Sequence, residues 1–154
     1  MQRKEFLKKT APRDASKLSI GIVVAEFNPD ITGSLFEGAL KALKEWGVKE
    51  RNINIFRVYG SFDLTYGCDL MFRKHKPDAV VALGCIIKGE TNHDHYIASA
   101  LSHGLTGLAI KYGKPVSFGV ITTNNLAQAK ARSRGKTNHG EKAAVAALQA
   151  ALLK

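Results

Sequence analysis

The residues able to do chemistry gather just behind short apolar runs. The densest group lies in Ala82-Leu-Gly-Cys-Ile-Ile-Lys-Gly-Glu-Thr-Asn-His-Asp-His-Tyr96. An apolar run from Asp78 breaks at Gly84, and Lys88-Gly89-Glu90-Thr91 then leads to His93. That order reads as a buried strand, a loop and a helix start. An imidazole can take and give protons near neutral pH. Backbone N–H groups around Gly89–Thr91, with the Thr91 hydroxyl, can hold one phosphate. Gly84-x-x-x-x-Gly89-Glu90-Thr91 has nearly the spacing of a nucleotide phosphate loop, but Glu90 stands in place of its lysine and would repel a triphosphate. His93-x-His95 is no metal pair, because helical positions two apart do not share a face.

Two further groups follow the same logic. Glu26-Phe27-Asn28 comes after an apolar run, and Phe27 is either an edge-of-core aromatic or a surface for stacking a ring. Gly60-Ser61-Phe62-Asp63 comes after another, and Ser61 and Asp63 are either helix caps or partners for hydroxyl groups. Phe118 lies inside an apolar run, which favours core packing. Arg132 in Gln128-Ala-Lys-Ala-Arg-Ser133 reads as a helix-surface cation.

The elements that must position these groups alternate. Leu18–Ala25 reads as a first strand rich in β-branched residues. Pro29 should hold Asn28 extended, and Asp30 or Thr32 should cap the next helix. That helix carries Leu35, Phe36, Ala39, Leu40, Leu43 and Trp46 on one stripe and ends at Gly47. Asn52–Tyr59 alternates as a second strand, and a helix through Leu70 and Met71 follows. Pro77-Asp78 introduces the third strand. The next helix carries Ile97, Leu101, Leu105, Leu108 and Tyr112. Pro115–Ile121 is the fourth strand. Asn124 or Asn125 starts a helix to about Arg134, Gly135 breaks it, and the last helix carries Ala144, Val145, Leu148 and Leu152. Strand–helix alternation over four cycles means an α/β fold with a parallel sheet covered by helices on both faces. Ligands of such folds sit at the carboxyl ends of the strands.

A chain of 154 residues is one domain by size. Residues 1–17 are polar and charged and read as a basic N-terminal arm outside the core, with residues 18–154 as a single domain. No apolar run approaches a membrane span, and the basic start lacks the apolar segment of a secretory signal. The two cysteines, Cys68 and Cys85, have no metal or redox spacing, which suits reduced thiols and a cytoplasmic enzyme. The formal net charge is +10, but the cations are spread along the chain without aromatic interleaving. A solvated basic surface is the expectation, with neither nucleic acid nor a membrane as partner.

Gly89-x-Thr91-x-His93, three residues before Tyr96, resembles the signature of the lumazine synthase family. Glu26-Phe27-Asn28, Gly60-Ser61-Phe62-Asp63 and Pro115–Thr123 agree with it in the same order. The resemblance covers roughly residues 18–150. It implies a three-layer sandwich with a central four-stranded parallel sheet, assembled as a homopentamer and in some members as a sixty-subunit shell. It implies condensation of 5-amino-6-(D-ribitylamino)uracil with 3,4-dihydroxy-2-butanone 4-phosphate to 6,7-dimethyl-8-ribityllumazine, in riboflavin biosynthesis. No metal or organic cofactor is implied. On this resemblance His93 moves protons and Phe27 stacks the pyrimidine. Asn28, Ser61, Phe62, Asp63 and the backbone of Cys85, Ile86 and Ile87 bind that substrate. Glu90, Thr91, Arg132 and His139 surround the phosphate. Phe118, Arg132 and His139 come from a neighbouring subunit. The chain departs from the family pattern at Asp63 (usually glutamate), Tyr59 and Thr65 (usually proline), Lys88 (usually arginine) and His139 (usually lysine). Those departures leave a second expectation, a non-catalytic relative that binds a flavin or lumazine or forms a shell.

Overall fold

The computed structural model describes residues 10–153. Strands β1 (Ile20–Ala25), β2 (Ile53–Val58), β3 (Ala79–Ile87) and β4 (Val116–Thr123) form one parallel sheet in the order β2-β1-β3-β4. Between and after them run helices α1 (Pro29–Glu45), α2 (Leu64–His75), α3 (His93–Tyr112), α4 (Leu126–Ser133) and α5 (His139–Ala151).

Strand alternation sorts the helices into two layers. Ile20, Ile22 and Val24 of β1, with Val81, Leu83 and Cys85 of β3, face α1, α4 and α5. Val23 and Ala25, with Val80, Ala82 and Ile86, face α2 and α3. β1 and β3 are buried along almost their whole length, which is why they read as unbroken apolar runs. Leu35, Leu43, Leu83, Leu101 and Leu148 are fully buried, each stabilising the fold by roughly 1.5–3 kcal/mol. The expected three-layer α/β architecture is therefore present.

Four local expectations are corrected. β1 begins at Ile20, so Leu18 and Ser19 lie outside it. Asn28 is not extended: its φ of 63° and ψ of 60° place it in the left-handed region. The following proline disfavours the right-handed helical region, and asparagine tolerates the left-handed one. The Asn28 carbonyl accepts from the N–H groups of Ile31 and Thr32, and its side-chain amide donates to the Cys85 carbonyl at 3.4 Å. Gly84 breaks nothing, because β3 runs through it to Ile87. It is a glycine because the Ser61 hydroxyl would lie 2.7 Å from any Cβ there.

The fourth correction concerns the arm. Residues 1–9 lie outside the described residues. Within 10–17, Ala15 is core: it is 1% exposed, and its N–H donates to the Trp46 carbonyl at 2.8 Å. The Arg13 guanidinium lies 5.9 Å from the Trp46 ring centre, a cation–π distance. One alanine among polar residues has no periodicity to announce it. Among the described residues, no helix is long and apolar enough to cross a membrane.

Candidate active site

The strand order places the site. From β1 the chain goes to β2 on one side, then crosses to β3 on the other. The β1–β3 boundary is therefore the switch point, where loops diverge and leave a crevice at the carboxyl ends. β1–β3 pairing stops at Val24 and Leu83, so Gly84–Ile87 extend past it with one backbone edge outside that ladder. The Asn28 amide takes one of those groups, the Cys85 carbonyl.

Around this rim stand three loops. In the first, the N–H groups of Glu26 and Phe27 continue the β1–β2 pairing onto the carbonyls of Val58 and Tyr59, at 2.8 and 2.9 Å. Phe27 is thereby fixed in the backbone while its ring stays 60% exposed. Glu26, Phe27, Asn28, Pro29 and Tyr59 line an open hollow, with the Phe27 and Tyr59 rings tilted 6.2 Å apart.

The second loop, Ser61–Asp63, is a tight 3-10 turn. Asp63 Oδ2 accepts from the Gly60 N–H at 3.0 Å, so one carboxylate oxygen is engaged within the turn. Phe62 is exposed. Ser61 is buried over Gly84, and its hydroxyl has no protein partner.

The third loop, residues 88–92, follows β3. The Lys88 N–H donates to the Thr123 carbonyl at 2.8 Å, which anchors the loop to β4. Thr91 Oγ1 accepts from the His93 N–H at 3.3 Å, and His93 opens the 20-residue α3 with an exposed side chain. Glu90 in the loop and Asp94 in the first turn of α3 bring negative charge to the same end. Acids weaken a helix start as an anion site, and Lys88 in the same loop offsets one of these charges. Cys85 and Ile86 point into opposite cores, so neither side chain reaches the loops. Burial pushes the Cys85 thiol up to about 11 and the Cys68 thiol up to about 12, so neither is a nucleophile at neutral pH. Among the described residues, no group of His, Cys, Asp or Glu can hold a metal ion.

The remaining candidates lie on β4, α4 and α5. Phe118 is not core: it is 44% exposed, because β4 is an edge strand. It sits five residues before the end of β4, roughly 16 Å below the rim at about 3.3 Å per residue. Arg132 lies in the last turn of α4, half-buried, with Nη1 donating to the Gln128 carbonyl at 3.1 Å. His139 is the first residue of α5 and half-buried. Tyr59, expected only as a departure from the family's proline, lines the hollow, and Asn138, which was not expected as a site residue, caps α5 with its side chain.

A family profile described as 6,7-dimethyl-8-ribityllumazine synthase matches residues 17–154. The chain belongs to this family. The protein of that name from Cytophaga hutchinsonii is 46% identical over 130 residues, 84% of this chain and 82% of the relative. The one from Parabacteroides distasonis is 44% identical over 137 residues, 88% of this chain and 86% of the relative. The one from Christiangramia forsetii is 42% identical over 152 residues, 97% of this chain and 90% of the relative.

Proposed function

We propose that this protein is a transferase of riboflavin biosynthesis. It condenses 5-amino-6-(D-ribitylamino)uracil with 3,4-dihydroxy-2-butanone 4-phosphate, giving 6,7-dimethyl-8-ribityllumazine with release of phosphate and water. The observation that carries this reading is family membership over residues 17–154. The relatives all bear the enzyme's name, which favours catalysis over the non-catalytic reading.

The chemistry is an amine attacking a ketone, loss of water to an imine, elimination of phosphate and ring closure. Each step moves protons between nitrogen, carbon and oxygen. Holding two reactants together supplies much of the rate. Phe27 stacks the pyrimidine ring beside the carboxyl end of β3. Asn28 and the Ser61–Asp63 turn border its ribityl chain. Thr91 and the loop amides receive the phosphate with Lys88 in support, and Arg132 and His139 complete its surroundings. His93 exchanges the protons. No metal or organic cofactor takes part.

The active unit is a homopentamer, with a sixty-subunit shell as its larger form. The support is the family resemblance, in which the residues matching Phe118, Arg132 and His139 serve a neighbouring subunit's site. The small-molecule substrates are its partners, with no nucleic acid or membrane. Two free thiols go with a cytoplasmic location.

The test is turnover of both substrates by wild type and His93→Ala, with the uncatalysed condensation subtracted. Wild type should run well above background, and His93→Ala should fall about a hundredfold, the usual loss of one proton-transfer group. Wild type no faster than background would sink the catalytic reading.

A further inference from the structure

Asn138 is 8% exposed and polar, and its amide is fully engaged. Oδ1 accepts from the N–H groups of Gly140 at 2.8 Å and Glu141 at 3.1 Å. Nδ2 donates to the carbonyls of Ser34 at 2.9 Å and Ser133 at 2.8 Å. Two donors and two acceptor sites are all that an asparagine amide has. The four bonds join three helices: the first half of α1, the last residue of α4 and the first turn of α5.

The surroundings are cut to fit this side chain. A Cβ at Gly38 would fall within contact distance of the Asn138 amide. A Cβ at Gly140 would land on the Leu35 carbonyl, so α5 could not approach α1. Thr137 Oγ1 donates within reach of two carbonyls, Ala131 at 2.6 Å and Arg134 at 3.1 Å, which folds the connecting segment back onto α4. Arg132 immediately precedes Ser133, and His139 immediately follows Asn138.

A helix cap needs only the acceptor. Serine, threonine or aspartate would serve the start of α5 as well. Only the donors to Ser34 and Ser133 require an amide. We propose that Asn138 is a positioning residue for the phosphate end of the substrate, clamping α4 and α5 onto α1 so that Arg132 and His139 present their groups at a fixed spacing. This rests on the reading that those two residues contact phosphate.

Asn138→Asp separates the two duties, because it keeps the cap and loses both donors. The test is steady-state kinetics on the assembled protein, with KM measured for each substrate. Asn138→Asp should raise KM for the butanone phosphate about tenfold, the cost of weakening one charge-assisted contact, with the pyrimidine KM unchanged within about twofold. Gly38→Ala keeps the asparagine but forces its amide out of its place from α1, and should shift KM in the same direction. It carries the test if Asn138→Asp does not fold. In an Arg132→Ala/His139→Gln background, Asn138→Asp should add nothing to that KM, as expected of a residue acting through the other two. Equal shifts for both substrates, or a loss of melting temperature alone, would overturn the clamp. So would a raised phosphate KM in Arg132→Ala with none in Asn138→Asp. An unchanged phosphate KM in both Arg132→Ala and His139→Gln would show that the phosphate reading had failed first, and the clamp falls with it.

Discussion

Phe27 shows what a single exposed side chain tells about a site. A ring left 60% in water adds little to the core, yet its backbone is held by a 2.9 Å bond to Tyr59. A fixed backbone under an exposed ring is an arrangement for stacking. Stacking of a base-like ring on an aromatic is worth about 1–3 kcal/mol, so Phe27→Ala should raise KM for the pyrimidine about ten- to a hundredfold. The melting temperature should hardly move, because little packing is lost. Kinetics on each substrate beside a thermal melt checks this, and a fall in melting temperature without a KM change would return Phe27 to the core. The same scale shows what was legible in the sequence. Phe27 and His93 follow strand ends, and strand ends are visible in apolar runs. Phe118 was opaque, because an apolar run does not say that its strand lies at an edge. Ser61 was half-legible: its turn was expected, but its burial over Gly84 depends on a contact between residues 23 positions apart.

At the scale of elements, the helices under the site are tied by charge as well as by packing. Asp69 of α2 accepts from the Tyr112 hydroxyl at 2.6 Å and from Lys111 at 3.0 Å, both on α3, and from Arg73 on its own helix at 2.7 Å. Those partners, Tyr112 foremost, hold the Asp69 carboxyl well below the usual carboxylate range. A depressed folded-state pKa means that the contribution is complete above the unfolded value of about 3.9 and is lost as the pH falls below it. Asp69→Asn should therefore lower the urea midpoint at pH 7, and the gap to wild type should narrow progressively as the pH falls below about 4. A gap that stays constant over that range would assign the effect to packing. The elements themselves were largely legible. Two periodicities, near 2 and near 3.6, alternate along the chain, and the glycines at 47 and 135 take positive φ near the ends that they were expected to mark. Gly84 misled because a glycine in a strand can serve close approach as well as a break. Asn28 misled because the restriction imposed by a following proline leaves the left-handed region open to asparagine.

At the scale of the molecule, the chain divides its candidate groups into two sets. Phe27, Asn28, the Ser61–Asp63 turn, Thr91 and His93 ring the crevice at the ends of β1, β2 and β3. Phe118 lies on β4, the edge strand beyond β3, and Arg132 and His139 lie on α4 and α5, which pack with α1 on one face of the sheet. Arg132 is six residues into α4 from Leu126, about 9 Å along the helix at 1.5 Å per residue. If each site draws one set from one chain and the other from its neighbour, defects in different sets can be separated onto different chains. His93→Ala and Arg132→Ala should each be strongly impaired alone. Co-expressed in equal amounts, they assemble at random, and about a quarter of the interfaces bring an intact His93 chain to an intact Arg132 chain in the right order. Activity of the mixed assembly should recover to about a quarter of wild type, because those sites lack nothing. Two defects in the same set, such as Phe27→Ala with His93→Ala, should show no comparable recovery, because an intact site then needs a chain that carries neither. Mixed assemblies of His93→Ala and Arg132→Ala that stay as impaired as the separate variants would mean that each chain completes its own site, and Phe118, Arg132 and His139 would have to reach the rim of the chain that carries them.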